Sequence, residues 1–66
     1  MIVRINGKDA EVAEKSTLLQ IIERRGLAPE RIVIERNGEI IRKDRFGEVS
    51  VLENDSIEIV NFVCGG

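Results

Sequence analysis

The residues with the widest chemical scope close the chain: Cys64, Gly65 and Gly66. Read as a terminal residue, Gly66 offers a carboxylate with no side chain beside it. Such a carboxylate can attack the α-phosphate of ATP, and the acyl-adenylate formed is a good electrophile for a sulfur donor. A β-carbon would crowd that carbonyl, and glycine has no stereocentre to scramble once the carbonyl is activated. Two glycines also let extended backbone enter a narrow tunnel in another protein, because only glycine allows so close an approach. Glycine makes up about 7% of residues, so a chance Gly-Gly ending occurs in roughly one chain in two hundred. The competing reading is a frayed end with no task.

Cys64 is open to three readings: a tolerated small residue in a tail, a thiol that exchanges persulfide or disulfide with a partner, or the source of an intermolecular disulfide. No Lys, Arg or His flanks it to lower a thiol pKa from about 8.5, so no catalytic role is assigned to it. The rest of the sequence is poor in catalytic groups. There is no histidine, hence no imidazole base and no histidine metal ligand, and one cysteine excludes a cysteine-cluster zinc site. A glycine-rich phosphate loop is also missing. Asp44, Glu53 and Asp55 sit near turns and are expected to form those turns rather than hold a metal, so no metal site is assigned.

Size and charge narrow the options further. A chain of 66 residues is one domain and buries only about 60% of the surface its unfolded form exposes. It has little volume for a ligand pocket of roughly 300–1,000 Å³, which argues against an enzyme with a bound cofactor of its own. Ten basic and twelve acidic residues give a net charge of −2, so the electrostatic driver of nucleic-acid binding is absent. Two phenylalanines, with no tyrosine or tryptophan, leave no platform for base stacking and require an aliphatic core. Arg24-Arg25 and Arg42-Lys43 are expected to be solvated surface pairs. No apolar run approaches the roughly 20 residues of a membrane span, and Met1-Ile2-Val3-Arg4 lacks a signal-peptide layout. Small secreted domains carry several cysteines, so a reducing cytoplasm is the expected compartment and a monomer the default state.

The elements that must carry the tail follow from periodicity. Met1, Val3 and Ile5 alternate with Ile2 and Arg4, which predicts a strand buried on one face. Asn6-Gly7 suits a type I′ turn, and Lys8 to Ala13 returns with Ala10 and Val12 inward. From Thr17 to Arg25 the period changes: Leu18, Leu19, Ile21 and Ile22 form a helical stripe. Thr17 and Gln20 have capping-box spacing, Gly26 can end the helix, and Pro29 prevents its resumption. Arg31 to Arg36, Asn37-Gly38 and Glu39 to Arg42 read as a second hairpin. Lys43 to Gly47 is a loop or short turn that pins Phe46 over the core edge, with Val49, Val51 and Leu52 lining the underside of the connection. After the turn cluster Glu53-Asn54-Asp55 comes a last strand, Ser56 to Phe62, with Ile57 and Ile59 on one face and Glu58, Val60 and Phe62 on the other.

The order β-β-α-β-β-β makes an α+β domain: a mixed sheet of about four to five strands with one helix packed on one face. The domain is expected over residues 1–62, with a flexible tail over 63–66. The sheet face away from the helix should gather Ile2, Val33, Val60 and Phe62, with Val63 beyond them, and a contiguous apolar group of that kind suggests a partner-binding patch.

These residues resemble the ThiS-type sulfur carriers of thiamin (thiazole) biosynthesis, a ubiquitin-like β-grasp family, over essentially the whole chain. The resemblance is weakest in the opening strand-Asn-Gly-strand and in Ser16-Thr17-Leu18-Leu19. It strengthens over Val33 to Ile41 and Val51 to Val60, and is strongest in Phe62-Val63-Cys64-Gly65-Gly66. Departures are Arg42-Lys43 where Pro-Arg is common, Phe46 where Trp is frequent, Asn54 where Gly is usual, and Cys64 where Gly, Ala or a polar residue is usual.

The resemblance implies a β-grasp fold with the first and last strands parallel at the sheet centre. It also implies a carrier that is a co-substrate rather than an enzyme. A ThiF-like adenylating enzyme, using ATP, would activate the Gly66 carboxylate. A sulfur donor protein would convert it to a thiocarboxylate, and a ThiG-like thiazole synthase would take the sulfur. Three alternatives remain: a carrier of the same fold feeding another product such as molybdopterin, a ubiquitin-like modifier joined to lysines through Gly66, and a binding module with an idle tail.

Overall fold

In a computed structural model that describes residues 1–62, five strands, one helix and two short 3₁₀ turns follow the chain order. Strand β1 (Ile2–Ile5) turns back at Asn6-Gly7 into β2 (Lys8–Glu11). Both turn residues have positive φ, 52° and 81°, as a type I′ turn requires. The pairing continues past β2, because the Met1 ammonium donates to the Val12 carbonyl and the Val12 N–H to the Met1 carbonyl, both at 2.9 Å.

Helix α1 (Leu18–Arg24) is fixed at both ends by local chemistry. Thr17 Oγ1 accepts from the Gln20 N–H at 3.1 Å, and Gln20 Oε1 accepts from the Thr17 N–H at 2.9 Å, which is the predicted capping box. Two further orphan amides of the first turn find partners in the later connection: Leu18 N–H donates to the Val49 carbonyl and Leu19 N–H to the Phe46 carbonyl, both at 3.0 Å. At the other end Gly26, with φ 74°, completes a Schellman motif, in which Leu27 N–H bonds to the Ile22 carbonyl and Gly26 N–H to the Glu23 carbonyl. Leu27 then packs against the core.

A 3₁₀ turn (Pro29–Arg31) leads into β3 (Ile32–Arg36), which pairs with β4 (Glu39–Ile41) across Asn37-Gly38. A second 3₁₀ turn (Lys43–Arg45) delivers Phe46, and the chain ends its described part with β5 (Ser56–Asn61). The sheet order is β2-β1-β5-β3-β4. Strand β5 lies at the centre, parallel to β1 and antiparallel to β3. This is the β-grasp arrangement, with the first and last strands parallel at its middle.

The core lies between one sheet face and the helix. Val3, Ile5, Ile32, Ile34, Ile57 and Ile59 from the strands meet Leu18, Ile21 and Ile22 from α1, and Phe46 and Val51 close it from the connection. Phe46 is fully buried rather than resting at an edge. Leu52 departs from expectation: Val51 goes into the core, Val49 is half-buried, and Leu52 is exposed. The Val51 N–H is tied to the Ser16 carbonyl and the Leu52 N–H to Asp55 Oδ2, both at 2.8 Å.

Candidate functional site

Residues 63–66 follow β5 in the sequence, so the site begins with what holds that strand. At its start, Arg4 N–H donates to the Asp55 carbonyl and Asn6 N–H to the Ile57 carbonyl, both at 2.8 Å. From the other side Asn37 N–H donates to the Ser56 carbonyl at 2.7 Å, and Ser56 N–H to Asn37 Oδ1 at 2.8 Å. Near its end, Phe62 N–H donates to the Arg31 carbonyl at 2.7 Å. These bonds hold β5 to its neighbours from Ser56 to Phe62.

Asp55, which the sequence marks only as a turn residue, locks the entry to β5. Its Oδ2 accepts from Arg36 Nε and from the Leu52 N–H, each at 2.8 Å, and its Oδ1 accepts from Asn37 Nδ2 at 3.0 Å. Burial, the largest single influence, pushes its carboxyl up; the Leu52 and Asn37 hydrogen bonds and the Arg36 guanidinium together outweigh it, and the group sits below its ordinary value. Asn54 before it has φ 70°, a left-handed conformation that asparagine tolerates better than most residues.

Three of the predicted patch residues come together. Val33 and Val60 are register partners across β3 and β5, on the face away from the helix, and Phe62 follows Val60 on that face. They are 36%, 48% and 55% exposed. Ile2 does not join them. It shares the face and is exposed, but the parallel register sets Arg4 against Ser56, and the Ile2 carbonyl accepts from the Asn54 N–H at 2.8 Å. Six residues separate Asn54 from Val60, about 20 Å at strand spacing, so Ile2 lies at the opposite end of the sheet. Register rather than alternation decides this.

Ile40 belongs with the group instead. It is exposed and is the register partner of Glu35, which shares the outer face with Val33. Ile40 and Ile41 are adjacent in sequence, so alternation alone left undecided which of them faced outward. Beside the apolar group, Glu35 and Glu58 are direct cross-strand partners, a like-charge pairing that costs a free sheet a few tenths of a kcal/mol or more.

Val63, Cys64, Gly65 and Gly66 lie outside the described residues. The turn carboxylates do not converge: Asp44 pairs with Arg42 at 3.5 Å, Asp55 with Arg36, and Glu53 is exposed. Among the described residues no three metal-ligating side chains stand together, and no helix is long and apolar enough to cross a membrane. A surface trough of about 380 Å³ is lined by Arg36, Arg42 and Arg45, but each guanidinium has a carboxylate partner, in Asp55, Asp44 and Glu48.

Comparison with known proteins agrees with this geometry. The model of the ThiS family matches residues 3–66. The chain is 38% identical over 65 residues to the sulfur carrier protein ThiS of Bacillus subtilis, covering 97% of this chain and 98% of that one. It is 33% identical over 66 residues to a thiazole synthase of Magnetococcus marinus; that match takes in the whole of this chain but only 20% of the synthase. The crystal structure of the thiamine biosynthesis protein ThiS from Geobacter metallireducens superposes with a TM-score of 0.83 at 29% identity, with both chains covered completely.

Proposed function

The chain belongs to the ThiS family, and from that premise we propose that it serves as a sulfur carrier in thiazole formation, as a co-substrate of partner enzymes. The observation that carries this reading is a match that runs through residue 66, where the sequence reads Gly65-Gly66. An adenylating partner binds ATP, and a carboxylate oxygen of Gly66 attacks the α-phosphorus. Pyrophosphate leaves and an acyl-adenylate remains. Hydrosulfide delivered by a sulfur donor then adds to the acyl carbon, AMP departs with the attacking oxygen, and loss of the sulfur-bound proton leaves a thiocarboxylate. The synthase takes that sulfur for the thiazole ring.

Two features support the choice of partners. A thiazole synthase contains a counterpart of this whole chain within about a fifth of its own length, which makes a synthase of that kind the natural acceptor. The apolar face formed by Val33, Val60 and Phe62 lies at the end of β5 from which residues 63–66 continue, so a partner that docks there meets the tail. Ile40 widens that face, while Ile2 lies too far away to belong to it.

The test is the intact mass of the chain after incubation with ATP, a sulfide source and an adenylating enzyme of proven activity. The expected result is a gain equal to sulfur replacing oxygen, mapped to Gly66. An unchanged mass would overturn the carrier reading in favour of a binding module, and a lysine-linked adduct would point to a protein modifier.

A further inference from the structure

We propose that Asn6 is a positioning residue for the tail, because its carboxamide acts as a substitute peptide group that clamps β5 on the side where β1 has already turned away. On the β3 side, β5 is paired as far as Ile32 with Asn61, and the Phe62 N–H adds one more bond. On the β1 side, paired residues stop at Ile5 with Ile57, and Asn6 and Gly7 bend the chain into β2. The Asn6 side chain continues the ladder where the backbone leaves it. Ile59 N–H donates to Asn6 Oδ1 at 2.8 Å, and Asn6 Nδ2 donates to the Ile59 carbonyl at 3.2 Å. The donor and acceptor of one strand residue are both satisfied by one carboxamide, as a neighbouring peptide group would satisfy them.

The turn itself does not require this arrangement. A type I′ turn selects Asn or Gly at this position for positive φ, and a carboxamide there can as well point into water. Here it is committed to a residue three before Phe62, on the strand that carries the tail. Without it, the last residues of β5, to which residues 63–66 are joined, are held from one side only. Asn37 provides an internal control. It sits in the same kind of turn, φ 53°, and bonds to the same strand, but at Ser56, the far end from the tail.

The functional half of this proposal rests on the carrier reading, so two measurements are needed. Asn6→Gly keeps the turn and deletes the clamp. Amide hydrogen exchange, followed by NMR without any partner, should show the protection of Ile59 falling about tenfold or more relative to Ile57; unchanged protection overturns the clamp. In steady-state adenylation with an activating enzyme, Asn6→Gly should lower kcat about three- to tenfold with KM for the carrier nearly unchanged, since the docking face is intact. Asn37→Gly, which loses bonds to Ser56 and Asp55 at the far end of β5, should lower kcat clearly less than Asn6→Gly does. Equal kcat values for wild type and Asn6→Gly, or an equal fall in both variants, overturns the positioning role. A wild-type chain that is never adenylated instead overturns the carrier reading, and the exchange result still reports the clamp by itself.

Discussion

Replacing Asp55 by asparagine tests whether the lock at the entry to β5 depends on charge. Asp55 presents two oxygens to three donors: Arg36 Nε and the Leu52 N–H on one, Asn37 Nδ2 on the other. A carboxamide has a single acceptor oxygen, so in either orientation its NH₂ group faces at least one of those donors. The donors are only part-buried, so leaving one unsatisfied costs about 1 kcal/mol, the low end of the range for a buried group. The bonds that survive lose the charge that makes them roughly twice as strong as neutral ones, which adds about 1 kcal/mol. The expected loss is therefore about 2 kcal/mol, against a total of about 3–10 kcal/mol for a domain of this length. At about 4–8 °C per kcal/mol, the melting temperature should fall by roughly 8–16 °C.

The assay is thermal and urea unfolding of both proteins, followed by circular dichroism at neutral pH and in acid. The Asp55 carboxyl titrates below its ordinary value in the folded chain, so its contribution is complete above the unfolded value and is lost as pH falls through the lower, folded one. The two proteins should therefore differ fully at neutral pH, begin to converge as pH falls below the ordinary carboxylate value of about 3.9, and meet only below the lower, folded value. A deficit under about 1 kcal/mol at neutral pH would refute the charge argument. So would a gap that persists undiminished in strongly acid solution.

Three further outcomes are expected. Val60→Asp places a charge in the middle of the apolar face on a half-exposed residue; the chain should fold, while adenylation slows at least tenfold, about 1.4 kcal/mol of lost docking. Ile2→Asp, at the remote end of the same sheet face, should leave that rate unchanged, so parallel kinetics of the two variants check where the patch ends. Phe46→Ala removes a fully buried ring at a cost of about 3–5 kcal/mol, enough to leave much of the chain unfolded at body temperature by circular dichroism. Cys64→Ser should still acquire sulfur at Gly66, as read by intact mass; a variant that is adenylated but gains no sulfur would make the thiol part of the transfer.

The aliphatic alternation, the Thr17–Gln20 capping box, the Gly26 stop and the two Asn-Gly turns are local signals, and each determined its element from sequence alone. Gly65-Gly66 lies outside the described residues, and the reading of its carboxylate rests on the sequence. Tertiary structure decided the rest. Alternation tells which face a residue takes but not its height along the sheet, so Ile2 shares a face with Val60 and still lies about 20 Å from it, whereas Ile40 joins the patch through its pairing with β3. Asp55, Asn6 and Asn37 read as turn formers in sequence, and so they are. Their side chains hold β5 only because the sheet order brings both hairpin turns against the central strand, a juxtaposition over separations of 18 to 53 residues that no local pattern encodes.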